Sequence, residues 1–200
     1  MAKTQVSAAH TLRRSTRHQH ARLNRHPLLA QLLSPQLTLS SYHHLLKRYA
    51  PFYQACDQRF LQGIKVFNLD LDFTPRLKTG WLSQDLAFFN DSSPILPPEL
   101  PPLLSAPQLI GEIYVLEGST LGGQLISRHL EAQLALTASS GARFFNGYTH
   151  LTDAYWKDFS QFLERHLSHE ADLVEACGAA NQLFKLFAKY LDHDQSRCPA

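Results

Sequence analysis

Apolar residues recur along this chain at spacings of three and four over most of its length, and runs of strict alternation are scarce. That period lines side chains up on one face of an α-helix rather than of a strand, so the pattern predicts an all-α protein. A first helix is expected over about residues 4–25, ahead of Pro27. Its stripe Ala9, Leu12, Thr16, His20, Leu23 advances by 3, 4, 4 and 3 residues, which aligns all five on one face and turns His20 inward. A short helix over 27–34 follows, and Pro35 with TLSSYHH supplies a break and a cap before a longer helix over about 40–62. Pro51 is expected to kink it. Beyond NLDLDFTP the pattern predicts helices near 75–90, 107–138, 148–168 and 170–194.

Six of the eleven prolines fall between Pro94 and Pro107, so that stretch is expected to be non-helical. The apolar pattern persists on both sides of it, and either half alone would be a small helical fragment. Residues 1–200 therefore read as a single domain with 94–107 as an internal loop, a size that suits one core. With 44% hydrophobic and 18% charged residues the composition is that of an ordinary globular protein. The formal charge of +2 does not point to nucleic acid, and the basic residues are dispersed. They do gather in the first helix, where Lys3, Arg13, Arg14, Arg17, Arg22 and Arg25 meet no acid. Cys56, Cys177 and Cys198 form no short-spaced pair, which predicts reduced thiols rather than a disulfide framework or zinc site. The N-terminus lacks a signal-like apolar segment, and no stretch approaches 18 apolar residues, so a cytoplasmic protein with no membrane span is expected.

The segment YVLEGSTLGGQL conflicts with the helix predicted over it. It carries Gly118, Gly122 and Gly123, and each interior glycine costs a helix about 1 kcal/mol relative to alanine. Three readings account for them. Bare backbone permits close helix packing; it could cradle phosphate, although neither the GxGxxG spacing nor a P-loop lysine is present; or it could lie under a flat, rigid ligand that any Cβ would strike. A haem fits the third, and a neutral imidazole such as His20 is one of its usual axial ligands. The alternative for His20 is a hydrogen-bonded core histidine. The pairs His18/His20 and His43/His44 have the wrong spacing to share a metal on one helical face.

Two segments carry a family resemblance. LRRSTRHQH, residues 12–20, resembles the segment bearing the proximal ligand in haem oxygenases, and EGSTLGGQ, residues 117–124, resembles their distal-helix glycine signature, in the bacterial branch associated with bacteriophytochromes. YHHLLKRYAPFY, RLKTGWLSQDL and FFNGYTHLTDAYWKDF extend the likeness through nearly the whole chain. The resemblance implies a single all-α domain with haem between the first helix and a kinked glycine-rich distal helix. It makes His20 the axial iron ligand and puts Gly118, Gly122 and Gly123 over the distal face, with Ser119 in a distal water network. It assigns Arg13, Tyr114 and, more distantly, Lys157 to the haem propionates. Val115 stands where mammalian members have a network arginine, and Asn24 where some relatives have a carboxylate behind the ligand. The implied activity is oxidative opening of haem, both substrate and cofactor, to biliverdin with release of iron and CO. It requires O2 and outside electrons, from a ferredoxin or a flavin reductase, and the biliverdin could pass to a bacteriophytochrome. A haem carrier without turnover, or a helical interaction protein that uses the glycines only for packing, would share parts of this pattern.

Overall fold

The computed structural model describes residues 7–192. Every regular element among them is helical, in the order α1 Ala8–Asn24, α2 Pro27–Ala30, α3 Leu39–Val66, α4 Thr79–Phe88, α5 Ala106–Leu134, α6 Thr152–His166 and α7 Glu170–Asp192, with short 3₁₀ turns at Gln31–Leu33, Thr74–Arg76 and Thr149–Leu151. The helices arise where the three-and-four period predicts them, and local chemistry sets their ends. Ser7 caps α1 by accepting from the His10 amide at 3.2 Å. Thr38 and Ser41 cap α3 reciprocally, each side chain accepting from the other's amide at 3.1 Å. Residues 4–6 of the expected first helix, 193–194 of the expected last one, Lys3 and Cys198 lie outside the described residues.

Three boundaries differ from the pattern for reasons visible in the fold, and α6 starts four residues later than expected. α3 runs through Pro51 and on to Val66, and Asn68 beyond its end adopts the left-handed conformation that commonly stops a helix. The helix expected at 75–90 is split, because Asp57 of α3 takes the Lys78 and Thr79 amides at 2.8 and 2.7 Å and so caps α4 from outside. α5 stops at Leu134, four residues early, where Ala135 turns left-handed. Despite its glycines, α5 is unbroken from Ala106 to Leu134.

α7 packs chiefly against α5 and α1, while α3 packs on α4. α1 and α7 run side by side in the same direction: Asn181 donates to Ser15 at 3.1 Å, and His26 pairs with Asp192 at 3.1 Å. α5 and α7 approach closely at Gly111, where a Cβ would lie 2.1 Å from the Ala176 carbonyl oxygen. One hydrophobic core joins all the long helices, with Leu12, Tyr42, Phe52, Phe60, Leu109, Phe159, Phe162 and Leu183 fully buried. The proline-rich connection forms no helix before Ser105, and Ile95, Leu100 and Leu103 from it pack against that core. Among the described residues no helix is long and apolar enough to cross a membrane.

Candidate functional site

On α1 the predicted stripe is buried at Leu12, Thr16 and Leu23, at 0, 3 and 7% exposure. Ala9 is half-buried, and His20 alone of the five is exposed. It lies on the same face, yet its side chain is exposed, standing edge-on to Phe184 of α7 with ring centroids 5.9 Å apart. The expectation that His20 turns into the core is therefore corrected: the helical face is right, but the ring opens to a surface. The physical reason is that α1 is seated on α7 rather than enclosed on that side. Loss of hydration on the enclosed part of the ring, together with the positive charge of Arg13, holds His20 below the ordinary imidazole value. That favours the neutral form, which can ligate a metal.

The corresponding part of α5 is two-sided. Gly118, Leu121, Gly122 and Leu125 share one arc at 100° per residue. A Cβ at Gly118 or Gly122 would meet nothing within 4 Å, and Leu121 and Leu125 are exposed apolar side chains beside them. This open face is bare backbone flanked by hydrocarbon. Glu117, Thr120 and Gly123 occupy the opposite, buried face. A Cβ at Gly123 would lie 2.6 Å from the Phe145 carbonyl oxygen, so this glycine serves close packing against the 142–148 segment and is separated from the other two. That segment is held in turn by Asp85 of α4, which accepts from the Arg143 and Phe144 amides at 2.6 and 2.8 Å. Burial pushes the Asp85 carboxyl up to about 6 against those two hydrogen bonds.

Tyr114, one turn before Gly118, is buried and packs on Trp156 of α6 at 6.0 Å. Its phenol is raised by burial, while the neighbouring Thr16 hydroxyl and the charge of Arg13 act in the opposite direction. Tyr114 thus lies near Thr16 of α1, itself one turn before His20. His20 and Gly118 each lie one turn beyond that pair. Arg13 is exposed beside it. Lys157 is also exposed, next in sequence to the Trp156 that packs on Tyr114, and makes no hydrogen bond or ion pair among the described residues. Ser119 donates to the Leu116 carbonyl at 2.7 Å, and its hydroxyl lies near Tyr53 of α3, where it partly offsets the burial that raises the Tyr53 phenol. Val115 is half-buried against the core and Asn24 is exposed at the end of α1.

Behind the open face lies a charged cluster that sequence reasoning missed. Glu117, 1% exposed, accepts from Arg76 Nη1 at 2.5 Å on one carboxylate oxygen and from Lys78 Nζ at 2.7 Å and the Tyr148 hydroxyl at 2.8 Å on the other. Lys78 Nζ also donates to the Arg76 carbonyl at 2.8 Å and to the Tyr148 hydroxyl at 2.7 Å. Arg76 reaches Asp158 of α6 at 2.6 Å and stacks over Tyr155 at 5.0 Å. Burial pulls the Lys78 ammonium below its ordinary value against the attraction of Glu117. For Arg76 the burial penalty is outweighed by Glu117, Tyr148 and Asp158, which raise it. The one sequence signal was a carboxylate inside the apolar run YVLEG, a position that demands a buried cation.

These features define a class: a helical protein with an exposed, neutral histidine on one helix and, on another, a flat apolar face with no side chains in its centre. Such a set fits a planar hydrophobic ring that needs one axial nitrogen and clearance on the other side. The haem oxygenase family model matches residues 6–94 and 99–193, and the chain belongs to that family, enzymes that open haem to biliverdin. Haem is their bound substrate. The fold is similar to the haem oxygenase of Neisseria meningitidis, solved with NO and CO bound, at 21% identity and a TM-score of 0.77 over 93% of this chain and 90% of that one. It is similar also to the haem oxygenase of Leptospira interrogans, at 17% identity and a TM-score of 0.77 over 92% and 98%. The haem complex of haem oxygenase-1 from the cyanobacterium Synechocystis sp. PCC6803 matches at 18% identity and a TM-score of 0.70 over 94% and 91%. No curated protein matches the sequence.

Proposed function

We propose that this chain holds its haem between α1 and the open face of α5, with His20 as the axial ligand and Gly118 and Gly122 against the opposite face. The observation that carries this is the pairing of an exposed His20, on a stripe whose Leu12, Thr16 and Leu23 are buried, with a bare, leucine-flanked glycine face on α5. Haem held there would supply the iron for O2 activation with outside electrons and the ring that is oxidised. The protein's part is to hold, orient and protonate. His20 binds through a neutral ring nitrogen, and the nearby Arg13 charge helps to keep that nitrogen free of a proton. The glycine backbone excludes side chains from the distal side, and Leu121 and Leu125 exclude water from its edge. Arg13 and the Tyr114 hydroxyl give the propionate edge one cation and one donor, with Lys157 as a second cation. Ser119 Oγ and the Tyr53 hydroxyl can hold a distal water and pass it a proton, in place of the carboxylate used elsewhere.

The electron donor in this reading is an acidic ferredoxin or flavin reductase. Arg13, Arg14, Arg17 and Arg22 of α1 and Arg25 at its C-terminal cap are exposed and form no ion pair among the described residues, which supports an acidic partner at this face. The cytoplasm as location rests on the N-terminal sequence and the dispersed cysteines, and a bacteriophytochrome as acceptor of the biliverdin rests on the resemblance carried by EGSTLGGQ.

Hemin titration and turnover test the reading. Wild-type protein is expected to give a Soret band on adding hemin, to lose that band in His20→Ala, and to yield a biliverdin spectrum once ferredoxin, reductant and O2 are supplied. A complex that stays red with reductant and O2 is a carrier, and a band unchanged in His20→Ala removes the assigned ligand.

A further inference from the structure

Resting on that haem-degrading reading, we propose that Glu117, with Arg76, Lys78 and Tyr148, is a positioning set that locks the distal backbone in one rotation about the α5 axis and so decides which edge of the ring is oxidised. The four residues come from three places in the chain. Arg76 and Lys78 precede α4, Glu117 is in α5, and Tyr148 closes the connection before α6. They converge on one carboxylate whose two oxygens accept three hydrogen bonds of 2.5–2.8 Å. Glu117 immediately precedes Gly118, and its side chain leaves α5 about 100° round from Gly118 and about 140° from Gly122, on the buried side of the helix. Two further ties lie on the same buried face: Thr120 meets Gly147, with 3.5 Å from a Cβ there to the Thr120 Cβ, and Gly123 meets the Phe145 carbonyl.

A buried ion pair adds little net stability over well-packed apolar side chains, so stability alone does not account for this cluster. Its particular property is direction. Apolar faces can slide or rotate over one another with small loss, whereas hydrogen bonds fanning out from one carboxylate permit a single rotation of the helix. Asp57 extends the lock to α3, since it binds the Lys78 and Thr79 amides through one carboxylate oxygen. The backbone over the ring has no side chains to steer with, so its own placement carries the selectivity. A displacement of about 1 Å at such a surface is enough to change reaction outcomes strongly.

The test uses full-length Glu117→Gln, which keeps shape but removes the charge, and Tyr148→Phe, which removes one hydroxyl and keeps the experiment open if Glu117→Gln does not fold. Hemin affinity and Soret position are expected to stay within about threefold of wild type, because none of the set touches the ring or His20. In the protein without hemin, amide exchange over residues 118–123 is expected to quicken at least about tenfold, with the earlier turns of α5 unchanged. After turnover, the ratio of biliverdin isomers is expected to shift at least about fivefold, equivalent to about 1 kcal/mol between competing transition states. An unchanged isomer ratio in a folded, haem-loaded variant overturns the proposal, whatever the exchange shows. A wild type with no Soret band removes the haem reading itself, which separates the two failures.

Discussion

Gly118, Gly122 and Gly123 stand within six residues of one helix and answer two different requirements. At Gly118 and Gly122 there is room for a methyl group, whereas at Gly123 the Phe145 carbonyl is in the way. Alanine at either of the first two is therefore expected to stabilise the protein without hemin by about 0.5–1 kcal/mol, since it removes the backbone entropy penalty of a helical glycine. The same change is expected to weaken hemin binding about tenfold, equivalent to about 1.4 kcal/mol. Gly123→Ala should instead destabilise the protein by about 1–3 kcal/mol through overpacking. Urea denaturation and hemin titration read both effects, and three alanines with the same outcome would refute the division. Glycine spacing put 118 and 122 on one face from the sequence alone. Gly123 next to them differs only because the 142–148 segment folds onto it, and nothing local to α5 encodes that. Gly111 shows the same limit: it makes the close approach to Ala176, and no sequence pattern singled it out.

At the scale of elements, the helices were legible because their period is local, while their joints depend on distant side chains. α4 begins where Asp57 of α3 caps it, and the connection after α5 is shaped by Asp85 of α4. Asp85 also gives this joint a pH dependence. Its folded value of about 6 lies above the 3.8 of the free carboxyl, so the native state binds its proton more tightly. The resulting stabilisation is full below pH 4 and is lost as pH rises through about 6, a swing on the order of 3 kcal/mol at about 1.4 kcal/mol per pH unit. Asp85→Asn cannot titrate. The difference in unfolding free energy between wild type and this variant is expected to fall across that window and to be flat above pH 7. A difference independent of pH would exclude Asp85 as the titrating group.

Over the whole molecule, charge is distributed unevenly around a small net value of +2. The one extended run of unpaired cations among α1's described residues lies on the helix that also bears His20. If an acidic donor docks there, its second-order reduction rate should drop about tenfold or more between low and high ionic strength, as the screening length contracts from about 10 Å at 0.1 M to about 3 Å at 1 M. Charge reversal at Arg22 and Arg25, more than two turns beyond Arg13, should lower the low-salt rate and flatten that dependence; salt-insensitive reduction measured by stopped flow would place the donor elsewhere. The sequence by itself determined the all-α class, the helices and which residues share a face on α1 and on α5, because each depends on a repeat of three or four residues within one element. His20 and the pair Gly118 and Gly122 could be found that way. Only the tertiary structure decided that His20 is exposed, that Gly123 packs rather than opens, and that Glu117 is neutralised by Arg76 and Lys78 some 40 positions earlier. A buried charge or a close backbone approach is satisfied by whatever the fold brings beside it, and that partner has no fixed spacing in the chain.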